Sequence, residues 1–233
     1  KELLEAVKFV DIIIPRGSQE LINFVREHSK VPTIETGAGV CHTYVESSAN
    51  LDSAAKIVVN AKTQRPSVCN SLDTVLVDRA VAFDFLPLLV DGFKAFDVEV
   101  FADETAFAIL SKAEYPNLKL ANADSFGMEY LSQKCSIKVL DGLDEALNHI
   151  QEFSSKHSEA IITENNEYAE TFLNAVDAAA VYVNASTRFT DGAVFGLGAE
   201  IGISTQKLHA RGPFALEKLT TEKWICRGNG QIR

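Results

Sequence analysis

The chain has 233 residues, of which 46% are hydrophobic and 23% are charged, and its formal net charge is −10. This length suits one large domain or two smaller ones with a substantial core, and the composition is ordinary for a soluble globular protein. The negative charge argues against a nucleic-acid partner, and every apolar run is far shorter than the roughly 20 residues that a membrane-spanning helix needs.

Strands and helices are predicted to alternate along the chain, because short apolar runs are interleaved with stretches of helical periodicity. In chain order the predicted elements are a strand at 9–15, a helix at 18–29, strands at 31–35 and 42–46, a helix at 51–64, a strand at 72–78, a helix at 80–93, a strand at 135–140, a helix at 141–153, a strand at 159–163, a helix at 165–176, and strands at 179–184 and 222–228. This alternation predicts an α/β architecture with a largely parallel sheet.

The cysteines and histidines show no metal-ligand spacing. The four cysteines are Cys41, Cys69, Cys135 and Cys226. They form no CxxC pair, and no two histidines lie three or four residues apart, so the sequence predicts no metal site. Scattered cysteines are typical of a reducing cytosol.

The first predicted strand and helix are joined by "RGSQ". This junction places Arg16, Gly17 and Ser18 at a helix N-terminus, where free N–H groups and the helix dipole favour an anion. An ordinary turn is the alternative interpretation of these residues. The later glycines of "GAVFGLGAEIG" have the wrong spacing for a dinucleotide fingerprint, and we interpret that segment as a loop.

Three windows of this acidic chain contain no carboxylate: 60–72, 178–190 and 201–216. Their cationic or potentially cationic residues are Lys62, Arg65, Arg188, Lys207, His209 and Arg211. If the windows converge in the fold, fixed donors would form a pocket for phosphate or carboxylate. Acid-free stretches of this length also occur by chance.

Cys69 lies in the first window, on a turn that Pro66 separates from the preceding helix. A thiol attacks as the thiolate, and neighbouring cations lower its pKa, so the window predicts that Cys69 is the most reactive of the four cysteines. No histidine lies nearby in the sequence, which argues against a cysteine-protease arrangement. The chemistry that remains is acyl transfer through a thioester; a small buried side chain is the alternative.

Five segments closely resemble the gamma-glutamyl phosphate reductases of the aldehyde dehydrogenase superfamily. They are "IIIPRGS", "VCHTYV", "VNAKTQRPSVCN", "VYVNASTRFTDG" and "FGLGAEIGISTQKLHARGP". The resemblance implies an aldehyde dehydrogenase-like catalytic domain with a largely parallel sheet, together with the tail of a Rossmann-like cofactor domain. It also implies the reduction of gamma-glutamyl phosphate by NADPH to glutamate 5-semialdehyde and phosphate, in proline biosynthesis in the cytoplasm.

The same resemblance implies roles for individual residues. Cys69 matches the nucleophile, and Glu35 matches a superfamily glutamate to which we assign no base role, because hydrolysis of a thioester would waste the substrate. The residues implied in cofactor binding are Arg16, Gly17, Ser18 and Glu129. Those implied in substrate binding are Arg65, Asn184, Ser186, Arg188, Lys207, His209 and Arg211.

The resemblance also suggests an organisation for the chain. We expect a remnant of a dinucleotide-binding domain at 1–37, the catalytic domain at 38–212 and an oligomerising C-terminal strand at 213–233, as in a C-terminal fragment of the family. Homodimers or larger homo-oligomers, and a functional contact with glutamate 5-kinase, are the implied partners. The alternatives are a catalytically silent module and an aldehyde dehydrogenase for another acyl substrate.

Overall fold

The computed structural model describes residues 2–208 and 210–233, so Lys1 and His209 lie outside the described residues. The strands of the main sheet are β1 (Cys41–Val45), β2 (Leu72–Asp78), β3 (Glu99–Ala102), β4 (Leu118–Leu120), β5 (Lys134–Leu140), β6 (Ser158–Ile162) and β7 (Ala180–Val183). The α-helices are α1 (Gln19–His28), α2 (Leu51–Thr63), α3 (Arg79–Phe85), α4 (Val90–Ala95), α5 (Glu104–Lys112), α6 (Gly142–Phe153) and α7 (Asn166–Ala175). A separate antiparallel pair consists of β8 (Ile203–Ser204) and β9 (Gly212–Pro213).

The seven main strands form one sheet in the order β4-β3-β5-β2-β1-β6-β7, and every neighbouring pair is parallel. Parallel neighbours require crossover connections, which the helices provide, so apolar side chains cover both faces of the sheet. All residues of the central strands β1 and β2 are buried. The predicted α/β architecture with a parallel sheet is confirmed. No helix among the described residues combines the length and the apolar character needed to cross a membrane.

Helix α2 delivers the chain to the turn that carries Cys69. Its N-cap is Asn50, whose side-chain oxygen accepts a hydrogen bond from the backbone N–H of Ser53 at 3.0 Å. Ala54, Val58 and Ala61 recur on one face and are fully buried against the sheet. The helix ends at Thr63, because Pro66 lies shortly beyond it and disfavours continuation.

Three predicted strands are absent as strands. The segments 9–15 and 31–35 share only a single bridge between Ile13 and Thr33, since proline at both 15 and 32 removes donors that a ladder would need. The segment 222–228 has no ladder partner within the described chain, and its Trp224 is 87% exposed. An isolated apolar segment without a neighbouring edge cannot form a sheet.

The predicted helix at 80–93 is divided in two. Pro87 falls inside it, and a 3-10 turn over Leu86–Leu89 separates α3 from α4. The β3–α5–β4 unit that follows was not predicted from the sequence. Its strands are only four and three residues long, and Lys119 and Leu120 of β4 are exposed, so they lack the long apolar run that marks a buried strand.

The N-cap of α2 gives a test of the fold. Replacing Asn50→Ala removes the acceptor for the Ser53 N–H and should lower the free energy of unfolding by about 1 kcal/mol. The matched control is Asn60→Ala in the same helix, where an exposed asparagine is replaced by the best helix former and stability should not fall. Denaturant titration of both variants measures the difference, and equal loss in both would contradict the capping role.

Candidate active site

A cleft of about 570 Å³ opens at the amino-terminal edge of the sheet, where Cys69 lies on the turn between α2 and β2. Six segments of the chain line it, and they are spread from the turn before α1 to strand β8. These segments are 16–22, 36–38, 65–70, 129–131, 188–191 and 200–203. The fold therefore brings part of each acid-free window, and the predicted turn before α1, around one cysteine.

The turn that carries Cys69 packs closely against Gly39. A Cβ atom on this glycine would lie 1.6 Å from the carbonyl oxygen of Cys69, so only glycine permits this approach. The thiol of Cys41 donates to the same oxygen at 3.3 Å. On the other side, the Asn70 side chain donates to the Thr190 carbonyl at 2.8 Å, and the Thr187 hydroxyl donates to the Asn70 carbonyl at 2.8 Å. The backbone of the nucleophile turn is thus fixed at several points.

The electrostatic prediction for Cys69 is wrong. The pKa of its thiol is raised to about 11, because burial, and then the charges of Glu129 and Glu200, outweigh the opposing effects of a hydrogen bond with its own backbone and of Arg16. The acid-free window around Cys69 did not predict this environment, because both carboxylates come from distant parts of the chain. A raised pKa disfavours the thiolate at neutral pH, so the cleft does not activate Cys69 by lowering the pKa of its thiol.

Arg65 and Arg188 line one side of the cleft. Burial, and then the neighbouring charge of Arg65, lower the pKa of Arg188, which shows that the two guanidinium groups are close. Arg188 Nε donates to Gln64 Oε1 at 3.0 Å, and neither arginine forms a salt bridge with any residue of the described chain. Two neighbouring guanidinium groups without a salt-bridge partner in the described chain form a site for an anion such as phosphate, although the charge of Asp191 also acts on Arg188.

The predicted turn before α1 also lines the cleft. Ser18 caps that helix by accepting from the Leu21 N–H at 3.3 Å, and Gly17 has φ of 150°. Arg16 is accommodated by Gly202, because a Cβ atom there would lie 2.3 Å from its Nη1. The loop that contains Gly202 is thus a wall of the cleft.

Several residues of this cleft were not predicted from the sequence. They are Thr190, Asp191, Glu200 and Gly202, which line the cleft, and Gly39, which packs against the Cys69 carbonyl. The segments "TGAG" and "GAEIG", which contain Gly39, Glu200 and Gly202, combine glycines with polar residues as many binding loops do. Nothing in either segment indicated that it would lie near Cys69. Burial raises the pKa of Glu200, which accepts a hydrogen bond from the Gly192 N–H at 2.9 Å.

Two glutamates with predicted family counterparts have different surroundings. Glu129 lines the cleft, and its Oε1 accepts from the Gly39 N–H at 2.7 Å. Glu35 is buried, with Oε1 accepting from the Gln206 side chain at 3.2 Å and Oε2 lying 3.6 Å from an Arg26 guanidinium nitrogen. It is not among the residues that line the cleft. Because these contacts engage both of its oxygens, we again assign it no base role.

Two predicted substrate-binding cations lie elsewhere. Lys207 and Arg211 are paired with Asp177 at 2.7 and 2.9 Å, where Lys156 also approaches the same carboxylate. Neither residue lines the cleft. Their partner Asp177 directly precedes the acid-free window 178–190, so the window itself gave no sign of this pairing. The remaining predicted cation, His209, lies outside the described residues.

The other predicted polar residues of the site have local roles. Asn184 donates from its side chain to the Thr163 carbonyl at 2.8 Å, and Ser186 accepts from the Arg188 N–H at 3.3 Å, so it shapes the turn that carries Arg188. Lys62, from the first acid-free window, points into the core beside Asp73 and has no exposed surface. Of the predicted substrate-binding residues, Arg65 and Arg188 reach the cleft.

Comparison with known proteins confirms the resemblance over the whole of this chain. No protein-family model matches it. A gamma-glutamyl phosphate reductase of Pelodictyon phaeoclathratiforme is 58% identical over 99% of this chain and 55% of its own length. One from Bacteroides fragilis is 55% identical over 100% of this chain and 56% of its own length. The chain therefore spans about half the length of the curated relatives it matches.

Solved structures place the fold in the aldehyde dehydrogenase class. The crystal structure of a gamma-glutamyl phosphate reductase from Thermotoga maritima has a TM-score of 0.92 and 46% identity, covering 100% of this chain and 55% of that one. An acetylating aldehyde dehydrogenase from Geobacillus thermoglucosidasius has a TM-score of 0.75 at 18% identity, covering 100% of this chain and 59% of that one, which supports the fold alone. The predicted aldehyde dehydrogenase-like α/β fold is confirmed.

The close approach at Gly39 gives a test of the site's construction. A methyl group in Gly39→Ala cannot fit beside the Cys69 carbonyl, so the turn must move, and stability should fall by about 1–3 kcal/mol or more. Gly37→Ala is the matched control, because its Cβ atom would meet only the Thr205 hydroxyl, at 3.3 Å. Thermal denaturation distinguishes them, and a Gly39 variant as stable as the Gly37 variant would contradict this close packing.

Proposed function

We propose that the protein takes part in the reduction of gamma-glutamyl phosphate to glutamate 5-semialdehyde and phosphate, in proline biosynthesis, and that Cys69 is the acyl acceptor. The observation that carries this proposal is that Cys69 lines the same cleft as the turn before α1 and as Arg65 and Arg188, which have no salt-bridge partner in the described chain. The names of relatives that match the chain at more than 50% identity support the same reaction.

The first step is the acylation of Cys69. Its sulfur attacks the carbonyl carbon of the acyl phosphate, a sulfur–carbon bond forms, and phosphate leaves with the electrons of the broken carbon–oxygen bond. The backbone N–H of Cys69 can donate to the oxyanion that develops at that carbonyl. Because phosphate is a good leaving group, the step requires little acid catalysis, but the thiol proton must be removed.

The raised pKa of Cys69 makes loss of this proton a requirement of the mechanism. Glu129 and Glu200 are the carboxylates whose charges act on the thiol, and both line the cleft. Burial raises the pKa of Glu200, which makes its carboxylate a stronger base than an exposed one. We therefore propose that a cleft carboxylate receives the proton as the sulfur attacks.

Arg65 and Arg188 are proposed to hold the phosphate of the substrate. Their guanidinium groups are planar donors suited to phosphate oxygens, and they also offset the negative charge that builds up during attack. Lys207 and Arg211 are left out of this role because Asp177 already neutralises part of their charge.

The second step requires a reductant, and the cleft has features that fit one end of a nicotinamide cofactor. Gly17 and Ser18 begin helix α1, whose N-terminus favours a phosphate, and a side chain at position 17 would collide with Leu21. Glu129 lies in the same cleft as a carboxylate acceptor for hydroxyl groups. NADPH, the proposed cofactor, would supply hydride when bound, and Arg16, Gly17, Ser18 and Glu129 are the residues that would hold it.

Acylation can be tested without the reductive step. Acetyl phosphate is the probe, and mass spectrometry of the digested chain identifies the labelled cysteine. The acetyl group should appear on Cys69 and be lost in Cys69→Ser, while Cys226→Ser, which removes an exposed cysteine, should be labelled like the original chain. Labelling of Cys226 in place of Cys69 would refute the assignment of the nucleophile.

The arginine pair gives a second, quantitative prediction. Arg188→Ala should slow acetylation of Cys69 by about ten- to a hundredfold, because a charge-assisted contact contributes about 1.5–3 kcal/mol. The matched control is Arg79→Ala, an exposed arginine that is paired with Asp141 and is not among the residues lining the cleft. Equal rates for the two variants would exclude Arg188 from the phosphate site.

A further inference from the structure

A lysine and an aspartate face each other in the core beneath the nucleophile turn. Lys62 is the penultimate residue of α2, its side chain is 0% exposed, and its Nζ lies 3.8 Å from Oδ1 of Asp73, which is itself 2% exposed. Among the residues that the structure describes, no hydrogen-bond acceptor contacts this Nζ. Burying an ammonium group with so little compensation is costly, so packing alone does not account for a lysine at this position.

Asp73 accepts hydrogen bonds from two segments of the chain that adjoin the cleft. Its Oδ1 accepts from the backbone N–H of Tyr130 at 3.0 Å, and its Oδ2 accepts from the backbone N–H of Cys41 at 3.4 Å. Tyr130 directly follows Glu129, and the thiol of Cys41 donates to the carbonyl of Cys69. The Asp73 carboxylate is therefore hydrogen-bonded to the neighbour of Glu129 and to Cys41, which itself contacts the Cys69 turn.

The charge of Asp73 decides whether it can make both contacts. Only the ionised carboxylate offers two oxygens that both accept freely; when protonated, one oxygen must donate. The pKa of Asp73 is raised to about 6, because burial outweighs the lowering effects of Lys62 and of the two N–H donors. Burial also lowers the pKa of Lys62. Without Lys62, the carboxylate would be a buried charge with no cation beside it, and protonation would be favoured.

We propose that Lys62 and Asp73 are positioning residues, in which Lys62 keeps Asp73 ionised so that Asp73 fixes Glu129 and the Cys69 turn relative to each other. This inference rests on the proposed function, since the purpose of the fixed geometry is the acylation of Cys69. Neither residue is among those that line the cleft, so neither is expected to touch the substrate.

The test uses the 233-residue chain and three variants: Lys62→Met, Asp73→Asn and the double variant. Lys56→Met is the matched control, because Lys56 is an exposed lysine of the same helix. Four quantities are measured: the melting temperature, amide hydrogen exchange at Tyr130 and Cys41, the rate of Cys69 acetylation by acetyl phosphate, and the rate of Cys69 alkylation by iodoacetamide.

The single variants each leave one buried charge unpaired and should lower the melting temperature, whereas the double variant has no buried charge and should recover most of it. If the pair positions the site, amide exchange at Tyr130 and Cys41 should remain about tenfold faster in the double variant than in the original chain. The reason is that the charged acceptor that protected both N–H groups is gone. Cys69 acetylation should stay about tenfold slower, while alkylation should become faster as the loosened turn admits water. If the double variant recovers exchange and acetylation together with the melting temperature, the pair is merely structural and the proposal is overturned.

The experiment distinguishes a failure of the positioning role from a failure of the proposed function. If the original chain is not acetylated at Cys69, the function fails, but faster exchange in the double variant would still establish that Asp73 fixes the two segments. If the original chain is acetylated and all variants match Lys56→Met in exchange and acetylation, the function stands and the positioning role fails. Should Lys62→Met fail to fold, the double variant alone decides between these results.

Discussion

The carbonyl oxygen of Cys69 occupies the space where a side chain at position 39 would begin. This contact presses the nucleophile turn onto the amino-terminal end of the sheet, so the thiol is held partly out of water and its pKa rises. The same segment contributes Cys41, whose thiol bonds to that carbonyl, and the Gly39 N–H, which bonds to Glu129. The segment around Gly39 therefore links the Cys69 turn to one of the carboxylates that act on its thiol. The burial that accompanies a fixed Cys69 turn also makes the Cys69 thiol less acidic.

The elements with strong periodicity were predictable from the sequence. Strand β2 has the predicted bounds, Leu72–Asp78, because seven consecutive residues between turn-forming segments fit a fully buried strand. Helix α2 was predicted to within one residue, since its buried face repeats at helical spacing. The β3–α5–β4 unit was missed because its strands are short and only partly buried. The segment 222–228 is not a strand within this chain, because β-propensity alone does not provide a neighbouring edge, and its oligomerising role stays a prediction.

The candidate site was only partly predictable, because it combines residues that are distant in sequence. The turn at Cys69, and the location of Arg65 and Arg188 in one cleft, agree with the predicted convergence of acid-free windows. The pKa of the thiol could not be predicted, since Glu129 enters from the segment before β5 and is brought near by the sheet order. Lys62 shows the opposite error: it belongs to a cationic window by sequence, but the helix turns it towards the core.

The pH dependence of Cys69 alkylation tests most directly whether the nucleophile is desolvated, because the thiolate is the reacting form. Iodoacetamide is applied over a pH series, and modification at Cys69 is followed by peptide mapping, so that the exposed Cys226 does not contribute. We expect the alkylation rate at Cys69 to continue to rise with pH and to have its midpoint near 11. A midpoint at or below about 8.5, the value of an unperturbed thiol, would contradict a desolvated nucleophile held against Gly39.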